Sequence, residues 1–166
     1  MNKQVWIEKA LGLGIQEFEI YQSTTVEKEM TWFQGQMDTL VSSKVTGTSI
    51  RGIVDGKMAN MALEEIDDSM CETVLKSLIE QAHIISNEET DSLRKPEAIE
   101  YVKKDVTWNM ASTEYVKDVL QSLEAKILAY DPRVIQVGYL GYSQGSGSRS
   151  IVNSLGMDVQ DADEMQ

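Results

Sequence analysis

The stretch SIRGIVDGKMANMA, residues 49–62, predicts two antiparallel strands joined by a tight turn. Asp55 and Gly56 lie at its centre, and this pair is the strongest short hairpin signal in the chain because a type I′ turn needs positive φ at both central residues. Gly52 lies inside strand-like sequence, where glycine indicates a bulge or the close approach of another backbone. The stretch contains no group placed for acid–base, nucleophilic or metal chemistry, so it predicts a structural element.

Runs of alternating apolar and polar residues precede this hairpin. Residues 16–26, 27–35 and 37–45 each have the period of two that is typical of a strand, and only a few residues separate one run from the next. We place one turn at residues 34–36 and another at Gly47. The runs therefore predict consecutive hairpins of an antiparallel sheet.

Two amphipathic helices flank the predicted sheet. The first covers residues 3–13 and is followed by Gly14, which suits a left-handed C-cap. The second covers residues 64–86, where Ser69 and Glu72 have the spacing of a capping box. Because each helix has one apolar face, we expect both helices to cover one face of the sheet.

A second unit of helix and hairpin follows. Residues 112–130 form the predicted helix, which is capped by Ser112 and stopped before Pro132. Residues 133–154 then predict two strands around a turn at residues 143–148, because that segment is rich in glycine and serine.

These patterns predict an α+β fold: an antiparallel sheet with helices packed on one face, followed by a smaller unit of one helix and one hairpin. We expect residues 1–86 to form the first part, residues 87–111 a linker and connecting segment, and residues 112–166 the second part. Because a lone hairpin is marginally stable, we expect the chain to be truncated, with more protein after Gln166.

The composition is that of a soluble globular protein with a strong acidic balance. The 166 residues include 27 Asp and Glu against 15 Lys and Arg, which gives a net charge of −12. Such a chain repels a phosphate backbone, so we expect no nucleic-acid binding. No apolar run reaches the roughly 20 residues of a membrane helix, so we expect no membrane association. A single cysteine and the lack of a signal sequence favour a cytoplasmic location.

The chain offers few side chains for catalysis. His83 is the only histidine, and Cys71 precedes it on the same predicted helix by about 18 Å along the axis, so the two cannot share a metal ion. We interpret His83 as a surface residue and Cys71 as a buried thiol. The glycine-rich residues 138–148 lack the Lys-Ser/Thr ending of a phosphate loop. We therefore predict no catalytic residue, no metal ligand and no cofactor in this segment.

Three stretches carry a resemblance to a known family. They are ALGLGIQEFEIYQSTTVEKEMTWFQGQMDTL, GTSIRGIVDGKMANMALEEID and RVIQVGYLGYSQGSGSRSIVNSLGMDV, the last with Asn153-Ser154-x-Gly156 after its second strand. In this order and spacing the chain resembles the N-terminal domain of the TldD/PmbA family, metallopeptidases also described as modulators of DNA gyrase. The resemblance spans nearly the whole chain.

The resemblance implies a supporting role for this segment. Active members of the family are similar to one another in a zinc-binding His-Glu-x-x-x-His motif that follows the N-terminal domain, and this chain has no such motif. The family resemblance therefore implies a non-catalytic scaffold and assembly domain. The first implied partner is a C-terminal domain of the parent chain, which would carry any zinc. The others are a second copy or a family paralogue, with which the chain would form a dimer, and peptide substrates.

Arg51 and Lys57 are the candidate substrate-binding residues that follow from the resemblance. In a family cavity they would face acidic groups of a peptide, whereas the plainer interpretation is two surface charges that flank a tight turn. Two further functions stay open at this point. One is a free-standing acidic module that binds a protein partner through its sheet edge or a methionine-rich face. The other is a small-molecule enzyme that uses Cys71 or His83.

Overall fold

The computed structural model describes residues 1–64, 66–86, 90–97 and 110–165. The helices and strands follow in this order: α1 Lys3–Gly12, β1 Glu17–Phe33, β2 Gln36–Val54, β3 Lys57–Leu63, a 3₁₀ turn Asp68–Met70, α2 Cys71–Ile84, α3 Thr113–Leu128, β4 Leu140–Asn153 and β5 Asp158–Met165. The strands form one five-stranded antiparallel sheet in the order β3-β2-β1-β4-β5. The predicted α+β class is confirmed.

The first strands are longer than the sequence predicted. Residues 16–26 and 27–35 form one strand, β1, and the turn expected at Gly47 is wrong because Gly47 lies inside β2. A Cβ atom built on Gly47 would lie 3.7 Å from the Ser23 hydroxyl, which is ordinary contact, so this glycine fits a continuous strand without any turn. The turn at residues 34–36 is confirmed, and Gln34 and Gly35 both have positive φ there.

The hairpin at residues 49–62 is confirmed in detail. β2 and β3 are antiparallel with Val54 opposite Lys57, so that Asp55 and Gly56 alone form the turn. Their φ angles are +48° and +73°, the left-handed values that this turn requires. Gly52 meets side chains and not another backbone, because a Cβ atom there would lie 2.8 Å from Leu78 Cδ2.

The second predicted hairpin is wrong in its position. Residues 143–148 lie within β4, and the turn instead joins β4 to β5 after Asn153. Gly145 fits the strand, since a Cβ atom there would lie 3.4 Å from the Val26 carbonyl oxygen of β1. Composition typical of a turn therefore marks a place where two backbones lie close together.

Of the two predicted helix N-caps, one is confirmed and the other is wrong. Ser112 caps α3 as predicted, since its hydroxyl accepts a 3.1 Å hydrogen bond from the Tyr115 amide. The capping box of Ser69 and Glu72 is wrong. The Asp67 carboxylate instead accepts a 2.7 Å bond from the Ser69 amide, at the 3₁₀ turn before α2.

The described residues divide into two compact units. Unit 1 comprises Met1–Thr24, Thr46–Lys104 and Ser148–Asp161. Its core lies between one face of the sheet and the helices α1 and α2, with these buried members: Trp6, Ile7, Ala10, Ile15, Phe18, Ile20, Ile50, Val54, Ala59, Cys71, Val74, Leu75, Leu78 and Ala82. Both helices therefore bury most of the apolar stripe that the sequence predicts for them, although Leu11, Leu13 and Met70 stay 45%, 38% and 40% exposed.

Unit 2 comprises Thr25–Val45, Asp105–Gly147 and Ala162–Gln166. Its core is small: Met30 and Trp32 of β1 pack against Val116 and Leu120 of α3. The predicted sequential division at residues 86 and 112 stays a prediction. No helix in the described ranges is long and apolar enough to span a bilayer.

Candidate functional site: a buried polar network in unit 1

A buried carboxylate organises the polar side of unit 1. Glu19 of β1 is 2% exposed, and its Oε1 accepts hydrogen bonds from both Nε and Nη2 of Arg51 on β2. Its Oε2 accepts a 3.3 Å bond from the Asn153 side-chain amide of β4. Both oxygens are thus engaged, which satisfies the charge that burial would otherwise make costly.

Asn153 holds three segments of the chain at once. Its side-chain amide also donates a 2.9 Å bond to the Arg94 carbonyl oxygen. Its side-chain oxygen accepts 3.0 Å bonds from the amides of Leu155 and Met157, which shapes the turn between β4 and β5. The Asn-Ser-x-Gly stretch is therefore the turn of this hairpin, with Gly156 in the left-handed region at φ +96°.

Residues 90–97 are fastened to the sheet of unit 1. The Leu93 amide donates a 2.6 Å bond to Glu17, and the Met58 amide donates a 3.1 Å bond to the Asp91 carboxylate. Leu93 itself is 5% exposed. Residues 90–97, which lie in the predicted linker, are thus a strap that is hydrogen-bonded to both β1 and β3.

The two substrate-binding candidates have different surroundings. The Arg51 guanidinium forms an ion pair with Glu19, although 44% of the Arg51 side chain stays exposed. Lys57 is half-buried beside the Asp55–Gly56 turn and also has a partner. Both residues lie on the β2–β3 hairpin, and Arg51 joins the buried network.

Unit 1 also has a groove beside this network. Its volume is about 800 Å³, and its lining includes Arg94, Lys95, Ile151, Met157 and Val159. The Arg94 guanidinium forms a 3.0 Å ion pair with Glu97, which raises the pKa of Arg94. Glu97 and Asp158 also line the groove and balance the two cations, so its largely apolar lining suits an extended ligand without selecting for negative charge.

The residues that could bind a metal are dispersed. The described part of the chain has no group of three or more His, Cys, Asp or Glu placed to hold an ion. His83 is 56% exposed, with Nε2 3.7 Å from Asp55 Oδ2, whereas Cys71 is fully buried. Burial raises the pKa of the Cys71 thiol, which keeps the nucleophilic thiolate scarce. These donors do not fit a zinc site.

Sequence reasoning missed the network itself. The alternation of residues 16–26 predicts a polar face for Glu19, and Asn153 stands out in the sequence only within the family-like Asn-Ser-x-Gly stretch. Glu19 and Asn153 are 134 positions apart in sequence, so no local pattern could pair them. The alternation Glu17-Phe18-Glu19-Ile20 is that of an ordinary half-buried strand, so it gives no signal that Glu19 is buried.

Solved structures share this fold. The matches include TldE from Thermococcus kodakarensis, with a TM-score of 0.80 at 18% identity. Proteins described as modulators of DNA gyrase from Thermotoga maritima and Bacteroides thetaiotaomicron both give 0.75, at 19% and 18% identity. The likeness covers 97–98% of this chain but only 36–38% of the length of those proteins. No curated protein matches the chain.

Two family models match in sequence order. The PmbA/TldA metallopeptidase domain 1 matches residues 18–86, and the PmbA/TldA metallopeptidase central domain matches residues 107–165. Together the two matches cover well over half of the chain, and the resemblance seen in the sequence is confirmed. The chain therefore belongs to the PmbA/TldD family of metallopeptidases, whose first and central domains it spans.

Proposed function

We propose that this chain is a non-catalytic scaffold and assembly module of a cytoplasmic, peptide-cleaving member of the family. The observation that carries the proposal is the state of its polar groups: Glu19, the best-placed buried carboxylate of unit 1, has both oxygens engaged in holding strands together. A general base must reach a substrate proton, and Glu19 is 2% exposed with both oxygens already accepting bonds from Arg51 and Asn153.

The distribution of possible metal ligands also supports a non-catalytic role. The described residues bring no metal ligands together, so any zinc chemistry of the parent protein would depend on a His-Glu-x-x-x-His segment supplied by a C-terminal domain or a paralogous subunit. Two histidines four residues apart on a helix can share one zinc ion, which this chain with its single histidine cannot reproduce. The module would then shape and join the catalytic part.

Arg51 and Lys57 remain proposed contacts for acidic groups of a peptide. The exposed 44% of Arg51 leaves surface for such a contact while Glu19 fixes the guanidinium in place. A fixed guanidinium loses less conformational entropy on binding than a free one does. The groove beside the polar network, whose lining carries two cations and two carboxylates, is a further surface for an extended peptide.

The test is a zinc titration and a peptidase assay on the 166-residue chain. We expect no stoichiometric zinc by elemental analysis after dialysis and no zinc-dependent cleavage of an unstructured peptide. We expect cleavage only from a longer protein that also contains the zinc motif. Tight binding of one zinc ion per chain, together with turnover by the chain alone, would overturn the scaffold role.

A second measurement tests the peptide contact. In the longer, active protein, Lys57→Ala should raise KM with little change in kcat if Lys57 binds substrate. Lys126→Ala, at an exposed position of α3, is the matched control and should leave both constants unchanged. An unchanged KM for Lys57→Ala would remove Lys57 from the substrate contacts.

A further inference from the structure

The face of the sheet in unit 2 that lies away from α3 carries a small pocket between β1 and β4, which are neighbouring strands. Met30 and Trp32 of β1 pack against α3, so Glu29 points to the opposite face, because successive side chains of a strand alternate. Tyr142 of β4 packs against the same core, which places Ser143 on the opposite face as well. The side chains of Glu29 and Ser143 therefore share one side of the sheet.

The pocket has a volume of about 320 Å³, and its lining includes Glu29, Tyr139, Gly141 and Ser143. This volume is near the lower end of the roughly 300–1,000 Å³ of ligand sites, so the pocket suits a small molecule or a single side chain. Among the described residues that line the pocket, Glu29 is the only charged one. An occupant would therefore meet one negative charge and no positive charge from these walls.

The polar side chains of the pocket are available to a ligand. Glu29 and Ser143 are both exposed, and within the described ranges neither side chain forms a hydrogen bond or an ion pair. By contrast, the carboxylates of Glu19 and Glu124 accept bonds that hold the fold together. Glu29 thus has acceptor capacity that the fold does not use.

Tyr139 forms an aromatic wall whose position depends on Gly141. A Cβ atom built on Gly141 would lie 2.6 Å from the Tyr139 hydroxyl oxygen, 3.0 Å from Cζ and 3.1 Å from Cε1. The ring thus occupies space that the side chain of any other residue would fill. Because Tyr139 nevertheless stays 67% exposed, the ring lies against the strand and still presents much of its surface to a ligand.

An aromatic ring beside an unpaired carboxylate is a combination that binds organic cations. The negative face of the ring attracts a cation, and the carboxylate adds a charge-assisted hydrogen bond. A guanidinium fits better than an ammonium, because it is planar, stacks on aromatic rings and can donate to a carboxylate and a hydroxyl at once. The net charge of −12 also attracts cations to the chain from a distance.

We propose that this pocket binds the guanidinium group of arginine, with the Tyr139 ring stacked on it and with Glu29 and Ser143 accepting its hydrogen bonds. The group belongs either to free arginine or to an arginine side chain of a peptide, since both carry the same cation. The site lies within unit 2 and does not depend on the proposed scaffold role.

Nuclear magnetic resonance titration of the isotope-labelled 166-residue chain tests the ligand. N-acetyl-arginine N-methylamide, which mimics arginine within a peptide, should bind with a dissociation constant on the order of 1 mM and shift the resonances of Tyr139 and Ser143. N-acetyl-citrulline N-methylamide has nearly the same shape without the charge and should bind at least about fivefold more weakly. Tighter binding of free arginine than of the capped compound would identify the free amino acid as the ligand, and the reverse order would identify a peptide.

Gly141→Ala tests the aromatic wall without replacing any side chain that would touch the ligand. The new methyl group displaces the exposed Tyr139 ring, so the affinity for the capped arginine should fall about two- to fivefold, as in Tyr139→Ala. Gly138→Ala is the matched control, because a Cβ atom there has no neighbour within 4 Å, and it should leave the affinity unchanged.

Neutralisation of the carboxylate tests the charge. Glu29→Gln should weaken binding about two- to fivefold and reduce its dependence on salt. Glu114→Gln removes the same charge at an exposed position of α3 and should leave the affinity unchanged.

Three results would overturn the site: equal binding of the arginine and citrulline compounds, an affinity that Glu29→Gln leaves unchanged, or equal effects of Gly141→Ala and Gly138→Ala. A lack of saturable binding by both arginine compounds would do so as well. None of these results bears on the zinc and peptidase measurements, so failure of this site and failure of the scaffold role are distinguishable.

Discussion

The two units bury apolar side chains to very different extents. The core of unit 1 draws on two helices and three strands and includes side chains with no exposed surface, such as Trp6, Phe18 and Leu78. The core of unit 2 draws on one strand and one helix and has four members. Around that small core, large apolar side chains such as Val41 and Tyr115 stay 52% and 63% exposed.

Polar groups compensate for the small core of unit 2. Glu124 of α3 is 7% exposed, and its two carboxylate oxygens accept bonds of 2.7 Å from the Trp32 indole and 3.2 Å from the Gly35 amide. One buried carboxylate thus fixes the core tryptophan and the turn between β1 and β2. Unit 1 is stabilised mainly by apolar burial, whereas unit 2 depends more on directional hydrogen bonds.

The largest expected effect lies in the core of unit 1. Leu78→Ala should lower the free energy of unfolding by about 3–4 kcal/mol, because Leu78 is fully buried and its removal leaves a cavity. Chemical denaturation measures the loss. Leu123→Ala in unit 2 is the control at 42% exposure and should cost less than about 1 kcal/mol.

A pair of substitutions tests the close contact between Gly52 and Leu78. Gly52→Ala alone should destabilise by about 1–3 kcal/mol, since its Cβ atom would lie 2.8 Å from Leu78 Cδ2. In the Leu78→Ala background the same change should cost less, because the contact with Leu78 is then gone and the 3.1 Å contact with Ile15 Cγ2 remains. Strict additivity of the two changes would argue against the close contact.

The next largest expected effect on the free energy of unfolding comes from Glu124, the buried carboxylate of unit 2. Glu124→Ala should lower the free energy of unfolding by about 2–3 kcal/mol, because the Trp32 indole and the Gly35 amide lose their acceptor. Glu124→Gln keeps one acceptor oxygen and should cost less. Amide hydrogen exchange should rise in α3 and stay unchanged in α2. Equal increases in both helices would contradict the separation of the two units.

The smallest expected effect is a pH dependence of the free energy of unfolding that arises from Asp68 in unit 1. Asp68 accepts 2.9 Å bonds from the Asn2 amide and the Trp6 indole, and these bonds lower the pKa of its carboxyl below the ordinary value. Because the folded pKa is the lower one, the stabilisation is complete above the unfolded pKa of about 3.9. It is lost as pH falls through the folded pKa. The stability difference between the wild type and Asp68→Asn should therefore vanish in acid, and a difference that persists there would refute this assignment.

Local chemistry made some elements predictable. The Asp55–Gly56 turn was predicted because two adjacent positive φ angles restrict the choice of residues. The start of α3 was predicted because Ser112 satisfies an amide three residues away. Each of these features depends on neighbours in sequence alone.

Elements that depend on distant contacts were not predictable. The segment 143–148 has the composition of a turn, yet Gly145 lies in a strand against the Val26 carbonyl oxygen. The Ser69–Glu72 capping box is absent because Asp67, two residues before Ser69, accepts the bond from the Ser69 amide. The network of Glu19, Arg51 and Asn153 joins three strands, and its members carry no shared local signature.

Unit 1 is assembled from three separate stretches of the chain, and this arrangement restricts how the gene can be divided. A gene cut after residue 86 would keep α1, α2 and the first three strands but would delete Asn153, Ser154 and the strap. Glu19 would then lose its amide donor, and the Phe18 amide would lose the Ser154 hydroxyl that accepts its 2.9 Å bond. Recombination between relatives would therefore preserve this unit only when the early and late thirds of the coding sequence are inherited together.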